Sequence, residues 1–276
     1  MLVADVPVEF MCSARGEITH RGAMTLERCV HDYMFQHPEV ESGTTYLPIH
    51  WMDYLCNMQW GPNVLDNLIC FSKNLPSGPY WTLTQLDNGP YVDIPDCVRF
   101  GVGDARTDIC IPLSSPSYGL PRNESPKILA SFIGRESRLE RRHLFDTLKN
   151  IDGFDVEIVP AFGEDVPVVD RMRNSIFALC PRGNIAQTFR LYEAMDLGCI
   201  PVYISDTFVT PFSDTLDWSE FCVLVEYKDI DSISDILKSI SEDKIRSMQD
   251  RGKKVYDSHF SLLGLCAQIT RLVGEL

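Results

Sequence analysis

Basic residues gather at two places in a chain that is otherwise acidic. Arg122, Lys127, Arg135, Arg138, Arg141 and Arg142 stand close together, against only Glu124, Glu136 and Glu140. From Arg171 to Arg190 the chain holds Arg171, Arg173, Arg182 and Arg190 and no carboxylate. The formal net charge is −14 over 276 residues, so these islands point to a small anionic ligand. Nucleic acid is disfavoured as the main partner, because its phosphate backbone needs a broad basic face. Arginine suits phosphate because its planar fork donates two hydrogen bonds at once.

The elements that must position these residues can be read from pattern. Lys127–Ile133, Asp155–Val159, Ser175–Cys180, Cys199–Ile204 and Phe221–Val225 read as strands. Leu139–Leu148, Ala186–Leu197 and two stretches near 230–241 and 242–257 read as helices. Strand–helix alternation at this spacing implies a parallel sheet covered on both faces, a Rossmann-like unit. In such a sheet ligands bind where strand ends lead into helix N-termini. Gly134-Arg135 follows the first strand, and Pro181-Arg182-Gly183-Asn184 follows the strand ending at Cys180. The second loop leads into a helix opening near Gln187-Thr188, whose free amides and dipole suit a phosphate. Gly183 lets the backbone approach, Thr188 adds a hydroxyl donor, and Glu193, further along that helix, suits a ribose diol. Taken singly each of these residues is ordinary surface; together they describe a site for a nucleotide or another phosphorylated ligand.

The proline- and serine-rich stretch Pro112–Pro126 marks a linker. It divides an N-terminal domain, residues 1–118, from a C-terminal domain, 119–276, whose last helix can pack back on the first. In the N-terminal half Thr45–Ile49, Leu65–Phe71, Tyr80–Thr84 and Asp108–Pro112 are the expected strands. The fold class expected is α/β, with two Rossmann-like domains facing across a cleft in the GT-B manner. The start of the chain carries no secretory pattern and no stretch is apolar enough to span a bilayer, so a soluble, cytoplasmic protein is expected. None of the ten cysteines forms a CxxC pair, which favours reduced thiols over a zinc or redox site.

Ser175-Ile-Phe-Ala-Leu-Cys-Pro-Arg-Gly183, Thr188-Phe-Arg-Leu-Tyr-Glu-Ala194 and Gly198-Cys-Ile-Pro-Val202 resemble the signature of the exostosin family, glycosyltransferase family 47. Pro211-Phe212, Leu216-Asp-Trp218 and Phe221 continue the likeness, and upstream so do Phe132-Ile-Gly134 and Arg141-Arg-His-Leu144. The resemblance covers about residues 127–260, and the chain resembles the compact, leaderless members found in large algal viruses. It implies a GT-B fold, a UDP-sugar donor held by the C-terminal domain, inversion at the anomeric carbon, and an oligosaccharide or glycoprotein glycan as acceptor. By matching position Arg141 and Arg190 become diphosphate contacts, Glu193 a ribose contact, and Pro181–Gly183 a wall of the donor site. Arg135 and Arg138 are further candidates, and Thr188 stands where the family usually has serine.

An inverting transfer needs a general base for the acceptor hydroxyl and positive charge for the departing diphosphate. Arginines can supply that charge and the histidines show no metal-ligand spacing, so neither a metal nor another cofactor is expected. Asp87 lies near the point where the family has a tryptophan followed by an aspartate, and it is the first choice of base. His50 and Asp53, after the strand-like Thr45–Ile49, are the next. The family's donors carry xylose, galactose, arabinose and uronic or N-acetylated sugars, and the compact form favours a pentose such as xylose. The alternative is a non-catalytic carbohydrate- or nucleotide-binding module on the same fold. A dehydrogenase or phosphatase is disfavoured, because Gly-x-Gly-x-x-Gly and a nucleophilic carboxylate pair are both missing.

Overall fold

Runs such as Ile128-Leu-Ala-Ser-Phe-Ile133 offer no polar face to water, and they form strands buried on both sides in parallel sheets. The computed structural model describes residues 1–11, 26–37, 39, 42–57, 63–103, 106–115, 117–160 and 167–276. It divides into two compact units, Met1–Pro116 with Leu262–Leu276, and Ser117–Ser261.

In the first unit β1 (Leu2–Val3), β2 (Thr45–Tyr46), β3 (Tyr80–Thr84), β4 (Cys97–Gly101) and β5 (Ile109–Cys110) form one parallel sheet in chain order. Its helices are α1 (Leu26–Gln36), α2 (Trp51–Asn57) and α3 (Val64–Asn74). The stretch Leu65–Phe71, expected as a strand, lies inside α3. Val64, Leu68 and Ser72 are buried while Asp66 and Cys70 between them are exposed, which fits a helix and not a strand, where every second residue shares a face. The short run Leu-Ile-Cys-Phe carries no period of its own and misleads for that reason. Trp51, at the start of α2, donates its indole N–H to Thr82 Oγ1 on β3 at 3.0 Å, and Trp81 stacks on Tyr46 at 4.2 Å.

The second unit holds β6 (Ile128–Gly134), α4 (Leu139–Leu148), β7 (Phe154–Ile158), α5 (Val168–Arg173), β8 (Ser175–Pro181) and α6 (Phe189–Asp196). It continues with β9 (Ile200–Ser205), β10 (Val223–Glu226), α7 (Ile233–Lys238) and α8 (Glu242–Val255). The sheet is parallel, in the order β10-β9-β8-β6-β7. Its core is Ala130, Phe132, Phe177, Leu179, Ile200, Val202 and Val225 with Leu144 and Leu148 of α4. The helix expected from Ala186 starts at Phe189, because Thr188 is extended with φ −144° and ψ 141°. α5 had no counterpart in the sequence reading. The last helix, α9 (Leu262–Gly274), belongs to the first unit, where Thr270 Oγ1 reaches Met34 Sδ of α1 at 3.6 Å.

The fold class is thus α/β, with one five-stranded parallel sheet in each unit. Among the described residues no helix is long and apolar enough to cross a membrane. Cys29, Cys70, Cys97, Cys110, Cys180, Cys199, Cys222 and Cys266 are free thiols. Cys12 and the Cys56 side chain lie outside the described residues.

Candidate functional site

In the second unit the strand order reverses beside β6: the chain moves from β6 outward to β7, then returns to place β8 on the other side. Such a switch point opens a crevice beyond the carboxyl ends of the two central strands. The loops that leave β6 and β8 there are the ones carrying Arg135 and Pro181–Gly183.

Arg141, in the first turn of α4, ties these loops together. Its Nη2 donates to the carbonyls of Pro181 and Arg182 at 3.2 and 3.1 Å, its Nε to Arg182 O at 3.2 Å, and its Nη1 to Arg135 O at 3.3 Å. The guanidinium also stands 5.8 Å from the centroid of Phe132. The Phe132 ring folds over Gly134, where a Cβ would come within 2.3 Å of the ring, so glycine is the residue that fits. Burial first, and then the like charges of Arg190, Arg135 and Arg138, lower the Arg141 pKa from its ordinary value, while Tyr227 opposes them. Positive charge is therefore concentrated here and only partly neutralised.

Arg190, on α6 and 9% exposed, donates from Nη2 to Ile133 O at 3.2 Å and from Nη1 to Met172 Sδ at 3.4 Å. Its Nε lies 3.7 Å from Glu193 Oε2, one turn on. Glu193 is 1% exposed and accepts from the Tyr118 hydroxyl at 3.4 Å. Arg138 caps the start of α4 in extended conformation and lies 3.4 Å from Glu140. Arg182 pairs with Asp206 and donates to Asn184 O at 3.3 Å. Arg135 is exposed, and the Thr188 hydroxyl makes no cap bond to α6. A Cβ on Gly183 would stand 3.8 Å from Arg141 Nη2, so a side chain there would cover the guanidinium. Arg135, Arg138, Arg141, Pro181, Arg182, Gly183, Thr188, Arg190 and Glu193 all lie on the two loops or the two helices that follow them. Tyr118, Asp206 and Tyr227 were not anticipated; the last two follow β9 and β10, so the strand-end rule that selected the other loops points to them as well.

The base candidates belong to the first unit. His50 is 5% exposed and its pKa is pushed down to about 4, chiefly by burial and then by His31 and Arg28. The two imidazole rings are 5.0 Å apart. Asp53 is 2% exposed in the first turn of α2. Asp87 is exposed, in a turn just past β3 closed by Gly89 N–H to Leu86 O at 3.1 Å, with Gly89 at φ +67°. Desolvation raises its pKa. Sequence reasoning passed over Glu27 on α1, which is 1% exposed. Its Oε1 accepts from Gln85 N–H at 2.8 Å and Thr84 Oγ1 at 3.3 Å, and Thr84 Oγ1 accepts from Leu86 N–H at 3.1 Å. Glu27 thus anchors the backbone leading into the Asp87 turn. Burial pushes its pKa up to about 7 against the pull of the Gln85 N–H, and the Asp53 charge adds to the rise.

In this doubly wound unit arginines stand at the switch point, with the buried Glu193 one turn from Arg190. The family model of the Exostosin GT47 domain matches residues 99–240, just over half of the chain, and the chain belongs to this glycosyltransferase family. An exostosin-1 homolog of Caenorhabditis elegans is 38% identical over 88 residues, covering 32% of this chain and 23% of that protein. A probable beta-1,4-xylosyltransferase of Arabidopsis thaliana is 36% identical over 118 residues, 42% of this chain and 27% of that protein. The chain therefore spans about a quarter of the length of these curated relatives. The apo structure of the lipopolysaccharide outer core galactosyltransferase WaaB is similar at 13% identity and a TM-score of 0.49, over 91% of this chain and 80% of that one.

Proposed function

We propose that the protein is an inverting glycosyltransferase that moves a sugar from a UDP-sugar onto a hydroxyl of an oligosaccharide or glycoprotein glycan. The observation that carries this reading is the Arg141 arrangement, a guanidinium bound to the carbonyls of two strand-end loops. Carbonyls orient a guanidinium without cancelling its charge, so the charge is kept for an incoming anion. The diphosphate lies against Arg141, Arg190, Arg135, Arg138 and Arg182, with the bare backbone at Gly183 and the Thr188 hydroxyl beside it. Glu193 accepts from the ribose diol.

In the transfer the acceptor oxygen attacks the anomeric carbon, the bond from that carbon to the phosphate oxygen breaks, and UDP leaves with the electron pair. The proton of the acceptor goes to a general base, for which Asp87 is our choice ahead of His50 and Asp53. Exposure and a raised pKa favour it, whereas His50 and Asp53 are buried. Charge building on the leaving diphosphate is met by arginine, and no metal or other cofactor is invoked. UDP-xylose is the donor we favour, in line with the xylosyltransferase name of one relative. The test is the melting temperature with and without UDP, followed by UDP release from a panel of UDP-sugars in EDTA. UDP should raise the melting temperature in the wild type and not in Glu193→Ala. Absence of a shift with any uridine nucleotide refutes the reading. Binding without release or transfer from any donor would make the protein a binding module.

A further inference from the structure

At the carboxyl end of β3 the chain leaves its sheet and turns through Leu86-Asp87-Asn88-Gly89, the turn that carries the first candidate for the base. Gly89 N–H closes this turn on Leu86 O, and side chains hold its entry. Gln85 N–H donates to Glu27 Oε1 at 2.8 Å, and the Thr84 hydroxyl donates to the same oxygen at 3.3 Å. Leu86 N–H donates in turn to Thr84 Oγ1 at 3.1 Å. One carboxylate oxygen thus fixes Thr84 and Gln85 directly and Leu86 through Thr84. Glu27, Thr84, Gln85 and Leu86 are all buried, so water does not compete for these bonds.

Glu27 is itself firmly placed. It lies in the first turn of α1, whose Leu26, Cys29, Val30 and Met34 are buried, 58 residues before Gln85. An ionised carboxylate holds its donors roughly twice as strongly as a neutral acceptor does, which suits a group whose task is to fix a turn. Burial pushes the Glu27 pKa up to about 7, so that grip comes at a cost in stability. A local rule broken at such a cost marks a functional place. We propose that Glu27 is a positioning residue for the transfer: through Thr84 and Gln85 it sets the direction in which Asp87 presents its carboxylate to the acceptor hydroxyl. This rests on the reading of Asp87 as the base. Glu27 acts only through that turn, and a displacement of about 1 Å in a reacting group is enough to slow a reaction about 100-fold.

Glu27→Ala removes the shared acceptor, and Glu27→Gln restores a carbonyl oxygen in its place. The assay is UDP release at pH 8, with the UDP-sugar of the panel that the wild type turns over fastest. Glu27→Ala should lower kcat about 10–100-fold. KM for the donor and calorimetric affinity for UDP should not change, since the candidate donor residues lie in the other unit. Glu27→Gln should recover most of the lost kcat. Where Glu27→Ala does not fold, Thr84→Val and Thr84→Ser give the second pair: valine removes the hydroxyl that relays Glu27 to Leu86, and serine restores it. A wild-type kcat in Glu27→Ala or Thr84→Val beside a slow Asp87→Asn overturns the positioning role and leaves Asp87 as the base. Glu27→Gln as slow as Glu27→Ala overturns it too, because the charge and not the bond would then matter. Asp87→Asn as fast as wild type removes Asp87 from the role and this inference with it. A wild type that releases UDP from no donor overturns both together with the UDP-sugar reading.

Discussion

Replacing Glu27 by glutamine should make the protein more stable, and increasingly so as pH rises. The Glu27 carboxyl is 1% exposed and its pKa is raised from 4.5 to about 7 by burial, with Asp53 contributing. A carboxyl whose folded pKa exceeds its unfolded value binds protons more tightly in the folded state. Its stability contribution is therefore fully present below 4.5 and is lost as pH climbs through 7. The distance between those values corresponds to about 3 kcal/mol of lost stability once the group is ionised. Glutamine keeps a carbonyl oxygen for the Gln85 N–H and the Thr84 hydroxyl and carries no charge at any pH.

Urea unfolding of both proteins between pH 4 and 8.5 reads this directly. Trp51 and Trp81, both fully buried in the first unit, report its transition by fluorescence. The difference between variant and wild type should grow by about 3 kcal/mol across the window, or roughly 1.5 M in urea midpoint at an m-value of about 2 kcal/mol/M. The neighbouring histidines titrate in both proteins, so their contributions largely cancel in the difference. Parallel stability curves from pH 4.5 to 8 would refute the reasoning, since they would mean that Glu27 titrates alike in the folded and unfolded chain. A variant less stable at pH 8 would refute it as well.

Two further outcomes follow from the same geometry. Gly134→Ala should destabilise the second unit by about 1–3 kcal/mol, because its Cβ would overlap the Phe132 ring; urea unfolding followed through Trp218 measures this, and an unchanged midpoint would mean the ring can turn aside. Asp87→Asn should lower kcat for UDP release from UDP-xylose by about 10²–10⁴-fold while leaving UDP affinity intact. The wild-type rate should rise with pH through a value above 3.8, since desolvation raises this carboxyl and the base works ionised; an active Asp87→Asn removes Asp87 from the role.

The second unit could be read from sequence because β6, β8 and β9 are largely apolar runs, and α4 runs from Leu139 to Leu148 as its pattern implies. The first unit offers little of this. β1, β2 and β5 are two residues long, too short to show any period, and α3 hides in a run that reads equally as strand. Glu27 escaped notice for a different reason. Its acceptor role depends on Gln85, 58 residues away, and no local pattern connects them.

Charge counting found the two basic islands but could not tell their members apart. Arg122 is bound to Glu124 and Asp250, Arg142 to Glu136, and Arg171 to Asp155 and Glu157, so their charges are spent on holding the surface together. Arg141 gives its donors to main-chain carbonyls, and Arg190 gives two of its own to Ile133 O and Met172 Sδ while Glu193 stays 3.7 Å from its Nε. The distinction is energetic. A carboxylate partner neutralises a guanidinium; a carbonyl fixes its orientation and leaves the charge in place, and burial first and then like neighbours lower the Arg141 pKa. Such repulsion costs folding stability and is relieved when an anion enters. Arg141 is thus separated from the surface arginines by what the protein withholds from it, whereas Arg138 and Arg182 face Glu140 and Asp206.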